Sequence, residues 1–285
     1  QLLYYNADLL KKAGITPPST DPTQRWTWEQ TVAAAKKAQA AGAKWGLMFE
    51  QVDRYYQLQP LFESAGGGSG LTGDQLLTPD ITNAGWIKGA SFYAQIFNDK
   101  VAARGIPPDQ ITPLFSNGQL AFFIAGPWQL DTFENTKGLN FGVGAHPYFE
   151  GGKPVTPTGS WSWGINPKST HADAALKLLT YASLNASGCS KANSLKGVIA
   201  GMPANTQSLS DYFTSTIFQP DNVKGASDLI KYELQHTAVI RPRTIGYIQF
   251  EDIIGTALAD IRNGTDVKQR LQKASDDLKA AFSRL

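Results

Sequence analysis

The stretch Leu120-Ala-Phe-Phe-Ile-Ala-Gly-Pro-Trp128 decides the fold predicted for this 285-residue chain. Its apolar run, Leu120 to Ala125, is the longest in the sequence and has the length of a buried β-strand. Gly126-Pro127 then marks a turn, and a helix is predicted from Trp128 onward. A buried strand that turns directly into a helix is typical of α/β proteins.

The same alternation of short apolar strands and amphipathic helices extends on both sides of this stretch. Thr27-Trp-Glu-Gln30 predicts a capping box, in which the Thr hydroxyl and the Gln amide satisfy the first free N–H groups of a helix. The predicted strands are residues 2–5, 44–49, 120–124, 141–145 and 161–165. Further helices are predicted at residues 8–13, 53–65, 82–98, 111–117, 170–184, 248–262 and 266–283. The sequence therefore predicts an α/β layered fold.

The composition is that of a globular protein, with 42% hydrophobic and 18% charged residues. No apolar run approaches the roughly 20 residues needed to span a bilayer. The 26 basic residues are scattered and nearly balanced by 24 acidic ones. A nucleic-acid binder should concentrate its basic residues on one stripe, so we exclude that class of partner.

The sequence offers little for catalysis or for holding a metal. Cys189 is the single cysteine, and the three histidines lie far apart in the chain. Neither a nucleophile motif nor a phosphate-binding loop is present. We therefore predict no metal, no cofactor and no enzymatic activity. A hydrolase or lyase with an aromatic cleft stays open as an alternative.

Aromatic residues lie beside several predicted turns. The chain has seven Trp, ten Tyr and 14 Phe, and Trp128, Trp161 and Tyr247 each follow a glycine closely. Rings at such positions can line a cleft and stack on the apolar faces of sugar rings. The alternative is that they are ordinary core aromatics.

Four groups of segments have counterparts, in the same order, in one protein family. They are Leu3-Tyr-Tyr-Asn6 with Trp26-Thr-Trp28-Glu29, Phe115-Ser-Asn-Gly-Gln-Leu-Ala121 with Gly126-Pro-Trp128, Thr158-Gly-Ser-Trp-Ser-Trp-Gly-Ile165, and Arg241-Pro-Arg243 with Tyr247 and Phe250. Together they resemble the family 1 extracellular solute-binding proteins of ABC sugar importers. Among the members of this family, the chain resembles the maltodextrin- and trehalose/maltose-binding type.

This resemblance implies a two-lobe α/β architecture of the periplasmic-binding-protein type II, with hinge crossovers between the lobes. Residues 1–155 and 240–285 would form the second, C-terminal lobe. Residues 156–239 would be the returning segment of the first, N-terminal lobe. Family members carry a long segment ahead of the counterpart of Leu3–Asn6, so we expect the first lobe to be incomplete here.

The resemblance also implies a function. Such a protein captures a sugar or oligosaccharide between its lobes and delivers it to the membrane permease subunits of the importer. We expect a monomer in the periplasm or outside the cell, either free or lipid-anchored through the missing N-terminal part.

Carried over position by position, the resemblance implies two stacking rings, Trp128 and Tyr56. Trp161 corresponds to a tryptophan beside a glycine pair, and that pair reads Gly159-Ser160 in this chain. A close approach of the backbone to a ligand is expected at that pair.

Arginine and aromatic residues near the end of the chain complete the predicted site. Arg241 or Arg243 would reach a ligand hydroxyl or, alternatively, form an ion pair at the hinge. Tyr247 and Phe250 fall near a further aromatic position of the family.

One position departs from the maltodextrin-binding pattern. An acidic residue is expected shortly before Tyr56, but Arg54 stands there with Asp53 beside it. A glycerol-phosphate-like ligand that recruits Arg54 therefore stays open as an alternative.

Overall fold

The structure, a computed structural model, describes residues 1–159, 161–194 and 202–285. The strands are β1 (Leu2–Asn6), β2 (Trp45–Phe49), β3 (Leu71–Thr72), β4 (Thr78–Pro79), β5 (Leu120–Ala125), β6 (Phe141–Gly144), β7 (Thr156–Pro157) and β8 (Ala238–Val239). The α-helices are α1 (Ala7–Lys12), α2 (Trp28–Ala40), α3 (Tyr55–Ser64), α4 (Ala84–Asn98), α5 (Pro108–Ser116), α6 (Gln129–Glu134), α7 (Ala172–Ser183), α8 (Ala186–Ser194), α9 (Thr206–Phe213), α10 (Ala226–His236), α11 (Tyr247–Arg262) and α12 (Val267–Phe282).

A four-stranded sheet in the order β2–β5–β1–β6 forms the centre of the fold. Every residue of β5 is buried, as the apolar run predicts. Strand β1 is antiparallel to β5 and β6, whereas β2 runs parallel to β5 with Phe49 opposite Ile124. Because β2 and β5 are parallel, their carboxyl ends meet at one edge of the sheet.

Local sequence signals set the helix starts. In the capping box before α2, the Gln30 backbone N–H donates to Thr27 Oγ1 at 3.2 Å, and the Thr27 N–H donates to Gln30 Oε1 at 2.9 Å. The prediction for this helix is confirmed. Helix α3 begins at Tyr55, two residues later than predicted, and Arg54 is its N-cap.

The predicted strand at residues 161–165 is wrong. This segment has no regular secondary structure, and Trp161 and Trp163 are exposed. A strand needs a hydrogen-bonding neighbour, and none of the described strands pairs with this segment. Helices α8, α9 and α10 were not predicted; α8 is weakly amphipathic, and α9 is only eight residues long.

Stacked rings join α3 to α4 and α11. The Phe62 ring of α3 stacks on Trp86 of α4 with centroids 3.8 Å apart, and Tyr55 meets Phe250 of α11 edge-on at 4.9 Å. Helix α4 begins against a glycine loop, since a Cβ on Gly85 would lie 2.5 Å from the Gly67 Cα. These contacts fix α3 and α11 relative to each other.

The chain leaves the sheet region at β7 and returns at β8, and these strands pair in parallel. A buried ion pair is hydrogen-bonded to Thr156 of β7. In this pair, Arg25 Nη1 lies 2.7 Å from Glu233 Oε1. The same Nη1 donates to the His146 carbonyl oxygen at 2.7 Å. The other Glu233 oxygen accepts the hydroxyl groups of Thr156 and Thr237. One charged network thus links the segment after β6, α10 with its C-cap Thr237, and the crossover strand β7.

The segment between the crossovers packs unevenly. Its last part belongs to the same apolar cluster as the sheet, through Phe218, Val223, Ala226, Leu229 and Ile230. By contrast, α7 buries none of its residues, although three of them are leucines. No helix in the described part of the chain combines the length and apolar character needed to cross a membrane.

Candidate ligand-binding site

A charged residue and an aromatic residue lie just beyond the carboxyl ends of the parallel strands β2 and β5. Glu50 comes directly after β2, and Trp128 comes after the Gly126-Pro127 turn that ends β5. The Glu50 backbone N–H donates to the Ile124 carbonyl oxygen at 3.0 Å, so the strand pairing extends to this residue. In open α/β sheets, ligands bind outside the carboxyl ends of the strands.

The Glu50 carboxylate accepts N–H donors from two helices. Trp128 Nε1 lies 2.9 Å from Oε1 and 3.1 Å from Oε2. The amide groups of Gln57 and Gln129 also donate to it, from α3 and α6. Burial raises the pKa of Glu50 above its ordinary value, and the three donated hydrogen bonds oppose that rise.

The Trp128 ring lies directly over the backbone of Gly126. A Cβ on Gly126 would lie 2.0 Å from Cζ3 of the ring, so only glycine fits at this position. The Gly126 carbonyl oxygen in turn accepts the Tyr4 hydroxyl at 2.8 Å. Trp128 is half-buried, and part of its ring stays accessible.

A second group of residues, the aromatic–arginine cluster, consists of Tyr56, Gly159, Arg241 and Tyr247. The Arg241 guanidinium carbon lies 5.4 Å from the centroid of the Tyr56 ring and 5.6 Å from that of Tyr247. Both distances are within the range of cation–π attraction. A Cβ on Gly159 would lie 3.2 Å from the Tyr56 ring and 3.3 Å from Arg241 Nη2, so the backbone approaches both side chains.

Neighbouring elements hold this cluster in place. Gln59 of α3 donates to the Ile240 carbonyl oxygen at 3.0 Å, which anchors the backbone just before Arg241. Burial raises the pKa of Tyr247 to about 12, and the nearby Glu251 charge adds to the rise. Tyr247 is therefore a neutral phenol at physiological pH and can donate a hydrogen bond.

Asp53 and Arg54, both predicted to bind ligand, are engaged in ion pairs with α11. Asp53 Oδ1 lies 2.5 Å from Arg262 Nη1. Arg54 Nη2 lies 2.7 Å from Glu251 Oε1. Both pairs tie the start of α3 to α11, which gives these residues a structural task in this conformation.

The other predicted residues have different surroundings. Phe250 is fully buried against Tyr55 and lies in the core, so its ring is not on the surface of the cluster. Trp161 is 93% exposed, two residues beyond Gly159. Arg243 is exposed as well. Ser160 lies outside the described residues.

Sequence reasoning missed Glu50, Gln57 and Gln129. The first of these had a usable signal, since it is the charged residue that directly ends the apolar strand Trp45–Phe49. The two glutamines carry no such signal, because only the folded chain brings α3 and α6 to the same carboxylate. Within residues 1–159, 161–194 and 202–285, no group of three or more His, Cys, Asp or Glu residues could hold a metal ion.

Accessible rings and an arginine at the carboxyl edge of an α/β sheet fit a protein that binds a small polar ligand by stacking and hydrogen bonding. The chain belongs to the bacterial extracellular solute-binding protein family, whose model matches residues 1–188. This is a family of binding proteins and not of enzymes, which argues against the hydrolase or lyase alternative.

Curated relatives bind more than one kind of solute. The chain is 28% identical over 190 residues to the galactooligosaccharide-binding protein of Bacillus subtilis (strain 168), covering 63% of this chain and 42% of that protein. It is 27% identical over 194 residues to the maltodextrin-binding protein of the same strain, covering 65% and 44%. It is also 27% identical over 174 residues to the sn-glycerol-3-phosphate-binding periplasmic protein of Brucella abortus (strain 2308), covering 57% and 38%. Each match thus spans less than half the length of the relative.

Proposed function

We propose that this chain is the extracytoplasmic solute-capturing component of an ABC importer, with a sugar or oligosaccharide as its ligand. The observation that carries the proposal is the aromatic–arginine cluster, whose Tyr56 is the chain neighbour of Gln57. Gln57 donates to the same Glu50 carboxylate that accepts the Trp128 indole N–H. Two relatives whose names specify oligosaccharides support this ligand class. The protein would act in the periplasm or outside the cell, as a monomer.

In the proposed mechanism, Trp128 and Tyr56 stack on sugar rings while Arg241 donates hydrogen bonds to hydroxyl groups. A second lobe then closes over the ligand and excludes water, and the closed form docks on the permease. Closure selects the liganded state only because the ligand gains contacts in it.

We also propose that the lobes are divided at the crossovers, with residues 1–155 and 240–285 in one lobe and 156–239 in the other. The pairing of β7 with β8 supports this division. The exposed leucines of α7 support an incomplete lobe, since large exposed apolar patches mark surfaces that another element covers. Phe218, Val223, Ala226, Leu229 and Ile230 belong to the same apolar cluster as the sheet, so in this proposal the last part of the segment lies against the larger lobe.

A phosphorylated ligand is the second candidate, and Arg241 is the observation that favours it. A guanidinium matches phosphate oxygens in geometry and charge. Arg54, the other arginine considered, already pairs with Glu251. The relative that binds sn-glycerol-3-phosphate adds weight to this candidate.

Replacing Arg241 by Ala separates the two ligand classes. A hydrogen bond from the charged guanidinium to a neutral hydroxyl contributes about 1.5–3 kcal/mol, and a bidentate pair with a phosphate makes two such bonds. Affinity for a neutral oligosaccharide should therefore fall about 10- to 100-fold, and affinity for a phosphorylated ligand by more than about 100-fold. Calorimetric titration with galactooligosaccharide and maltodextrin measures the affinity for neutral ligands, and titration with sn-glycerol-3-phosphate measures the affinity for a phosphorylated one.

The matched control is Arg243→Ala, which removes an exposed arginine two residues further on. Its affinities should stay within about twofold of the native values, because surface substitutions rarely exceed ±0.5 kcal/mol. Equal losses in the two variants would contradict the role given to Arg241.

A further inference from the structure

Trp128 differs from the large core tryptophans in how its indole is held. The Nε1 atoms of Trp28 and Trp86 are buried without a hydrogen-bond partner, so packing alone fixes those rings. Both side chains are fully buried, whereas Trp128 is only half-buried. A half-buried ring lacks packing on its accessible part, and its orientation must be fixed in another way.

The Glu50 carboxylate supplies that constraint. It can only accept hydrogen bonds, and the indole N–H can only donate. Trp128 Nε1 lies within 3.1 Å of both carboxylate oxygens, which restricts rotation of the ring. Gly126 lies under the same ring, so contacts from two sides define its plane.

Glu50 is itself held by its surroundings. Its backbone is hydrogen-bonded to Ile124 of β5, and its oxygens also accept N–H groups from Gln57 and Gln129. Gln57 Oε1 in turn accepts the Gln51 backbone N–H at 2.6 Å, and the Gln129 amide also donates to Thr112 Oγ1 at 3.2 Å. The acceptor is therefore part of a rigid network and not a mobile surface carboxylate.

We propose that Glu50 is the positioning residue of the site: by accepting the indole N–H it fixes the plane in which Trp128 meets the ligand. This role rests on the proposed function, because it concerns the ring on which the sugar stacks. A ring that is already held in its bound orientation binds the ligand more tightly, because less conformational freedom of the side chain is lost on binding.

A double-mutant cycle with Glu50→Ala and Trp128→Phe tests the proposal. In the native background, Glu50→Ala should lower oligosaccharide affinity about tenfold by calorimetry. In the Trp128→Phe background, where the ring has no N–H, the same change should have less than a twofold effect. Glu50→Gln keeps one oxygen acceptor and should recover most of the lost affinity.

A spectroscopic readout needs no ligand. The Trp128 indole N–H resonance, assigned by its loss in Trp128→Phe, should move upfield and exchange faster with solvent in Glu50→Ala. The other indole resonances should stay in place, which shows that the variant remains folded.

The outcomes separate the two proposals. Suppose that native protein binds oligosaccharide. If the Glu50→Ala variant then binds equally well, or if Glu50→Ala lowers affinity as much in the Trp128→Phe background as in the native one, the positioning role is overturned. The proposed function stands in either case. If the resonance responds as stated but native protein binds no carbohydrate, the proposed function fails, and with it any role of Glu50 in presenting the ring to a sugar.

Discussion

An Arg25→Met variant is expected to unfold with a free energy about 3–5 kcal/mol below that of the native sequence. The ion pair with Glu233 is almost fully buried, with side-chain exposures of 2% and 5%. Removing one partner leaves a charge in the interior without its counterion, and such changes carry penalties of this size. Urea unfolding followed by circular dichroism measures the difference.

The double variant Arg25→Met/Glu233→Met makes this prediction specific. Replacing a whole buried ion pair by apolar residues is often close to neutral, so the double variant should be more stable than Arg25→Met alone. The control is Lys273→Met, which breaks the exposed pair with Asp277 and should cost less than about 1 kcal/mol. An Arg25→Met protein within about 1 kcal/mol of native stability would show that the network does not hold the crossovers to the sheet.

Trp128→Ala is expected to weaken oligosaccharide binding tenfold or more. Burying a large apolar side chain against a ligand contributes about 1.5–3 kcal/mol, which corresponds to roughly 10- to 100-fold in affinity. Because Trp128 is only half-buried, its loss should appear in binding more than in folding. Calorimetric titration gives the affinity, and thermal unfolding checks that the variant is intact.

Trp45→Ala serves as the control for loss of a tryptophan. Trp45 begins β2, at the end of the strand opposite to Glu50, and is partly buried. The Trp45→Ala variant should bind oligosaccharide with the affinity of the native protein. Unchanged affinity in Trp128→Ala, or an equal loss in Trp45→Ala, would remove Trp128 from the site.

Much of the sheet could be predicted from local sequence. The run Leu120–Ala125 predicts a buried strand, and it is an inner strand of the sheet that pairs with both β1 and β2. Pairing between distant segments could not be predicted, since hydrophobic periodicity carries no information about partners. Thr156 and Thr237 meet across the crossovers although 81 residues separate them.

Part of the candidate site could be proposed from the sequence. The resemblance drew attention to Tyr56, Trp128 and Tyr247, and the structure gives all three half-buried positions. Phe250 was assigned to the same group, but helical spacing could have indicated the core: Phe250, Ile254, Ala257, Leu258 and Ile261 form the buried face of α11. The partners of Asp53 and Arg54 could not be foreseen, because both partners lie on α11, which is distant in sequence: 197 positions separate Arg54 from Glu251.

We propose that carbohydrate binds at Trp128 and the aromatic–arginine cluster. Titrating oligosaccharide into native protein with ¹⁵N-labelled tryptophan, and following the indole N–H resonances by NMR, tests it most directly. The account predicts a saturable shift of the Trp128 resonance while that of Trp45 stays unchanged. Resonances that do not respond to galactooligosaccharide or maltodextrin, or saturable shifts that leave Trp128 unaffected, would contradict it.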